Sequence, residues 1–135
     1  MASIINQTEF KKLARSLKEF APRIQKNVVI GATRAGANVV RDEMRDRVSK
    51  DTGMTRKSIK TKKLRKSTRT LIVFGVSATK ENRAKARWLE YGTINMSPRP
   101  FVRPSLTGVG DKPLKEARAY FIPRLEKEKR KLGFK

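Results

Sequence analysis

Thr70-Leu71-Ile72-Val73-Phe74-Gly75-Val76 is a run of branched and aromatic residues without a helical interval. Such residues suit a pleated, half-buried surface, and the run reads as a β-strand. Upstream of it, Ile59 and Lys60 open a basic run that leads to the turn signal Ser67-Thr68. The passage from Ser58 to Ser77 is therefore expected to form two strands joined as a hairpin. The second strand is apolar on both faces through Leu71–Phe74 and should lie centrally in a sheet. The first is studded with lysine and suits an edge, where charge discourages further strand pairing.

Helical patterns flank this hairpin on both sides. Asn6 with Glu9 reads as a helix cap and its reciprocal acid, with Ile5 and Phe10 as a hydrophobic staple. Phe10, Leu13, Leu17, Phe20 and Ile24 then recur at helical steps as one apolar stripe. Pro22 is expected to mark a break, after which a long second helix runs through Val28, Ala32, Ala35 and Val39 toward Val48. Gly31-Ala-Thr-Arg-Ala-Gly36 copies the start of a phosphate-binding loop, but Ala37-Asn38 stand where Lys and Ser/Thr are required. Its small residues are expected instead to let another helix approach closely. Gly53, in the left-handed conformation, should end the helix, with Asp51 and Thr52 bonding nearby backbone.

Beyond the hairpin, Lys80 to Tyr91 suits a third helix with Ala84, Trp88, Leu89 and Tyr91 available for burial and Gly92 as its stop. Asp111 should cap a last helix through Leu114, Ala117, Phe121 and Leu125, broken or kinked at Pro123 and frayed from about 126. The order helix, helix, strands, helix, loop, helix gives an α+β fold, in which a small antiparallel sheet packs with one long and several shorter helices. At 135 residues, the chain 1–135 is expected to be a single domain.

Between the third and last helices lies Trp88-Leu-Glu-Tyr-Gly-Thr-Ile-Asn-Met-Ser-Pro-Arg-Pro-Phe-Val-Arg-Pro-Ser-Leu106, an apolar, turn-rich passage in a basic chain. Pro98, Pro100 and Pro104 each fix φ and remove a backbone donor, so an extended, shaped loop is expected here rather than regular helix. A stiffened apolar segment loses little entropy on docking. Pro98, Arg99, Pro100, Phe101, Val102, Arg103 and Pro104 are accordingly the expected subunit interface.

The chain carries 34 Lys and Arg against 12 Asp and Glu, a net charge of +22. No acid occurs between Asp51 and Glu81, so the run that includes Lys60, Lys62, Lys63, Arg65, Lys66 and Arg69 concentrates positive field in one region. Such a field attracts polyanions, either nucleic acid or an acidic protein surface. No apolar segment approaches the length that crosses a membrane, and an unexported chain with no membrane partner is expected.

The side chains of ordinary catalysis are scarce. Histidine and cysteine are both absent, which removes the commonest base, the thiolate nucleophile and sulfur-ligated metals. The only acid cluster, Asp42, Glu43 and Asp46, is flanked by Arg41, Arg45 and Arg47 and is expected to form ion pairs rather than hold a cation. Glu90, beside Trp88 and Tyr91, is expected to be partly buried and bonded to Arg99 or Arg103. No enzymatic activity, cofactor, metal or small-molecule substrate is expected.

Two passages together, Asp51-Thr-Gly-Met-Thr-Arg-Lys-Ser-Ile59 and Leu89-Glu-Tyr-Gly-Thr93 leading through Pro98 to Pro100-Phe-Val-Arg-Pro-Ser-Leu106, resemble the tail-completion (neck) proteins of long-tailed bacteriophages. In that family an Asp-Thr-Gly turn, a Ser-Ile run, a strand pair, a Glu-aromatic-Gly-Thr and a Pro-Phe-x-x-Pro-Ala segment follow in this order. The likeness spans about residues 5 to 125 and departs from the pattern at Met54-Thr55, Ser105 and Pro123.

The resemblance implies a virion protein at the head–tail joint, assembled in the host cytoplasm as a homo-oligomeric ring of six copies, with transient contact to passing genome DNA. Ring closure needs one patch of each subunit to meet a different patch of the next. The basic run is expected to face an acidic neighbouring ring, since a lumen lined with cations would hold phosphate strongly. The alternative is a basic nucleic-acid-binding protein of ribosomal type, for which this size and charge are ordinary.

Overall fold

The computed structural model describes residues 7–50, 53–68 and 71–133. The elements, in order, are α1 (Gln7–Ile24), a π-helical turn (Gln25–Val29), α2 (Ile30–Arg47), α3 (Met54–Ser58), β1 (Ile59–Lys63) and β2 (Phe74–Ala78). A 3₁₀ turn (Lys80–Asn82), α4 (Arg83–Tyr91), α5 (Val102–Gly108) and α6 (Lys112–Lys131) complete them. The fold is α+β, a two-stranded antiparallel sheet packed with long and short helices. The cap at Asn6, the staple at Ile5, the turn residues Asp51 and Thr52, the side chains of Phe10, Leu13 and Leu17, and Arg69 lie outside what is described.

The expected break at Pro22 does not occur. α1 passes through Pro22, and the π turn begins three residues later. Proline removes one rung of the i to i−4 ladder and crowds a carbonyl one turn back, and a local π register is one way a helix absorbs such a fault without ending. α6 likewise continues through Pro123 to Lys131, where fraying was expected from about 126. Both prolines are exposed, so no neighbour opposes the local distortion.

α2 and α6 form the central helix pair. A Cβ at Gly31 would collide with the Tyr120 ring, and one at Gly36 would sit 2.9 Å from the Pro113 carbonyl oxygen. The pairing of Gly31 with Tyr120 and Gly36 with Pro113 makes the two helices antiparallel, and these glycines set how closely they approach. The small-residue reading of 31–36 is thus borne out. Val28 and Ala32 are buried on the same side, at 0% and 6% exposure.

The hairpin pairs Ile59 with Ala78, Thr61 with Val76 and Lys63 with Phe74. The second strand is not central, because among the described residues the sheet consists of two strands, and Leu71 is 58% exposed. Of the apolar run Leu71–Phe74 only Phe74 belongs to β2; Leu71, Ile72 and Val73 form the irregular approach to the strand, with Ile72 and Val73 half-buried. Arg45 anchors β1 to α2, donating from Nε and Nη2 to the Ile59 carbonyl at 3.1 and 2.7 Å. Met44, Val48, Ile59 and Phe101 form the core, with Val40, Val76, Ala86, Leu89 and Val102 packed around them.

The acid cluster on α2 is ion-paired: Asp42 with Arg41 at 2.8 Å, Glu43 with Arg47 at 2.8 Å, and Asp46 with Arg56 of α3 at 3.1 Å. Gly53 has the expected left-handed φ of +67°, but it does not end the long helix: α2 stops at Arg47, where Val48 turns extended, and Gly53 instead leads into α3. Asp111 occupies the cap position of α6, but its side chain makes no capping bond; Pro113 in the first turn leaves fewer N–H groups to cap.

Candidate interaction surface

α4 ends at Gly92 with φ +78°, where a Cβ would meet the Met96 carbonyl oxygen at 2.8 Å and the Pro98 nitrogen at 2.9 Å. Only glycine fits so tight a reversal. Thr93 and Met96 then exchange backbone hydrogen bonds of 2.9 and 3.1 Å, and Ile94 projects from the tip of the turn fully exposed. The chain returns toward α4 when Arg99 N–H donates to the Leu89 carbonyl at 2.7 Å.

Glu90 closes the segment. Its carboxylate accepts the N–H groups of Phe101 at 2.8 Å, Val102 at 2.9 Å and Arg103 at 3.3 Å, so it anchors the first turn of α5. Burial pushes the Glu90 carboxyl up, but the three backbone donors and the Arg103 charge outweigh it and hold the group below the usual carboxylate range. The sequence expectation of a bond to Arg99 or Arg103 captures only the lesser part: Arg103 stands at 4.0 Å, and the main partners are backbone.

The Pro98–Pro104 segment differs from the expected loop in two ways. α5 begins at Val102 and includes Pro104, which sits in the first helical turn where its missing N–H has no intrahelical use. Phe101 is 3% exposed and lies in this chain's own core, so it cannot also dock into a neighbour. Val102 and Pro104 are half-buried, while Pro98, Arg99, Pro100 and Arg103 remain on the surface. Ser105 is completely buried, its hydroxyl donating to the Phe101 carbonyl, so a hydroxyl at this position has a partner waiting within the helix.

Of the α4 residues expected to be buried, Leu89 and Glu90 face inward and Ala84, Trp88 and Tyr91 do not. Ala84 is exposed and Trp88 and Tyr91 are 51% and 64% exposed, whereas Ala86, Leu89 and Glu90 point inward. Trp88 and Tyr91, three residues apart on one helix face, lead directly into Ile94, and the Arg103 guanidinium lies 5.4 Å from the Tyr91 ring centre. The outer surface is an aromatic and aliphatic strip edged by arginine. Sequence reasoning took these large residues for core, because an aromatic on a helix is core more often than not.

A second apolar feature lies between α2 and α6, an open groove of about 600 Å³ with Ala32, Val40, Phe74, Leu114 and Phe121 among its lining residues. The basic hairpin stands apart from it chemically. Lys60, Lys62, Lys63, Arg65 and Lys66 are exposed, and Lys62, Lys63, Arg65 and Lys66 make no ion pair among the described residues. The Thr79 side chain hydrogen-bonds the Glu81 carboxylate, and this bond, the backbone N–H of Glu81 itself and the Lys60 charge keep that carboxyl low. Ser67 braces the loop by accepting from Val73 N–H at 3.0 Å.

A family model described as "Bacteriophage HK97-gp10, putative tail-component" matches residues 11–92, which is more than half of the 135. The chain belongs to this HK97 gp10-like family. The match runs from within α1 through the hairpin and α4, so the turn at Gly92 marks its end and α5 and α6 lie beyond it. Comparison with curated proteins and with solved structures gave no match. As an HK97 gp10-like chain it is a phage tail component, in agreement with the resemblance to tail-completion proteins. None of its described helices is long and apolar enough to cross a membrane.

Proposed function

We propose that this HK97 gp10-like tail component is a structural subunit of a ring of six copies at the head–tail joint, where it completes the tail and connects it to the head. The observation that carries this reading is the braced, exposed strip of Trp88, Tyr91 and Ile94 on a chain of a tail-component family. Three large apolar side chains held on the surface by Gly92, Arg99 and Glu90 favour a standing protein contact. Pro98, Arg99, Pro100 and Arg103 extend the strip, and Phe101 supports it from beneath. The groove between α2 and α6 supplies the second, different patch that a heterologous ring contact needs.

The hairpin cations that make no ion pair among the described residues, Lys62, Lys63, Arg65 and Lys66, then face an acidic surface on a neighbouring virion protein, with Lys60 and Arg69 of the same basic run. A joint of this kind asks for no catalysis, and a chain without histidine or cysteine is suited to it. The test is a phage from which this chain is deleted. Filled heads and finished tails should accumulate unjoined, and complementation with Tyr91→Asp/Ile94→Asp should fail although that variant folds. Joined particles in the absence of the protein would refute the reading.

A further inference from the structure

The hairpin is not the only concentration of positive charge. A cleft of about 430 Å³ opens between the π turn, the start of α2 and the C-terminal half of α6, and Lys26, Arg34, Arg124, Lys127, Lys131 and Glu128 line it. All five cations are exposed, whereas Glu128 is 6% exposed. The Glu128 carboxylate accepts from Lys131 Nζ at 3.0 Å, and that bond, opposed by burial and aided by the charges of Lys131 and Arg23, keeps it ionised. The single acid is thus matched by one lysine. Lys26, Arg34, Arg124 and Lys127 make no ion pair among the described residues.

Two of those four are held in place by rings. The Arg124 guanidinium lies 4.3 Å from the Tyr120 ring centre and that of Arg34 5.5 Å from Phe74. Stacking fixes the plane of a guanidinium while leaving its N–H edge free to donate, an arrangement suited to phosphate oxygens. Arg124 and Lys127 lie one turn apart on α6, and Lys26 and Arg34 line the same cleft from the π turn and α2. A DNA strand offers one phosphate per roughly 3.4 Å of duplex, so such a set can meet several in succession.

We propose that this cleft binds the phosphodiester backbone of duplex DNA. An acidic protein would be drawn by the same charge, but protein contacts are centred on apolar and aromatic anchors. Here the one aromatic lining residue, Tyr120, is half-buried and overlain by Arg124, while the exposed aromatics among the described residues stand on α4. Contacts confined to phosphate carry no sequence preference. The inference does not depend on the ring.

The test is fluorescence anisotropy with the full chain and two unrelated duplexes of about 20 base pairs, over about 50 to 300 mM salt. Both sequences should bind alike, and Lys26→Gln/Lys127→Gln should reduce the slope of log K against log salt by about two, since each lost phosphate contact removes about 0.9. Both residues are exposed and should leave thermal melting unchanged. Lys62→Gln/Lys63→Gln removes the same charge from the hairpin and should leave the slope nearly intact. An equal loss in the two variants, no loss in the cleft variant, or displacement of the duplex by polyglutamate as effectively as by unlabelled duplex would overturn the proposal.

Discussion

Replacing Glu90 tests whether one carboxylate holds the exposed strip to the core. In Glu90→Ala the N–H groups of Phe101, Val102 and Arg103 lose their acceptor at a position where the side chain is only 6% exposed, so water replaces it poorly. Hydrogen bonds to a charged group contribute about 1.5–3 kcal/mol and a helix-capping interaction about 0.5–2. Because part of the first turn of α5 can rehydrate, we expect a net cost of about 3 kcal/mol rather than the sum of the bonds. For a chain of this size that lowers Tm by about 10–15 °C. Glu90→Gln keeps an acceptor oxygen but turns an amide NH₂ toward donors, and should cost about 1–2 kcal/mol. The carboxyl is held low in the folded state, so the unfolded state binds more protons. The stabilisation is therefore complete above the unfolded carboxylate pKa and fades as pH falls through the lower folded value. The difference in stability between wild type and Glu90→Gln should accordingly shrink in acid below the ordinary carboxylate pKa. Thermal and urea melts of both variants across pH measure this. If Glu90→Ala melts with the wild type, or if the gap widens in acid, the anchoring account is wrong.

Gly31→Ala should force Tyr120 off α2 and cost about 1–3 kcal/mol in thermal melts, because a Cβ there has no free space. Phe101→Ala should cost about 3–5 kcal/mol and unfold the chain before any assembly defect can be scored, whereas Ile94→Ser should leave Tm unchanged and reduce ring formation in light scattering. Changing Lys62, Lys63, Arg65 and Lys66 to glutamate should preserve the circular dichroism spectrum and abolish head–tail joining in complementation.

The sequence discloses those parts of the fold that depend on local chemistry. The glycines of 31–36, the stop at Gly92 and the pairing of two strands as a hairpin follow from φ restrictions, helical spacing or branched composition, and the structure places them as expected, whereas Gly53 has the expected φ but opens α3 instead of ending α2. What could not be read depends on which neighbours are present. Pro22 and Pro123 look like helix ends in isolation, but α1 and α6 continue through them, and a π turn follows the first. Trp88 and Tyr91 look like core alongside Leu89 because nothing in α4 records that the helix turns Ala86, Leu89 and Glu90 inward and leaves the two aromatics outside. Phe101 looks like a docking residue because only the folded chain brings Met44, Val48 and Ile59 to cover it. The basic cleft joins Lys26 to Lys127 across a hundred residues, and no spacing within the sequence foretells that meeting.

The turn between α4 and α5 is fastened at both ends, by the Leu89 carbonyl and the Glu90 carboxylate on one side and by the Thr93–Met96 pair on the other. A partner that arrives at Ile94 meets a shape already formed, with no ordering step to wait for. Subunits joined through it should associate as preshaped solids, at the rate set by diffusion and orientation, and the contour seen in the free protomer should survive unaltered in the assembled particle.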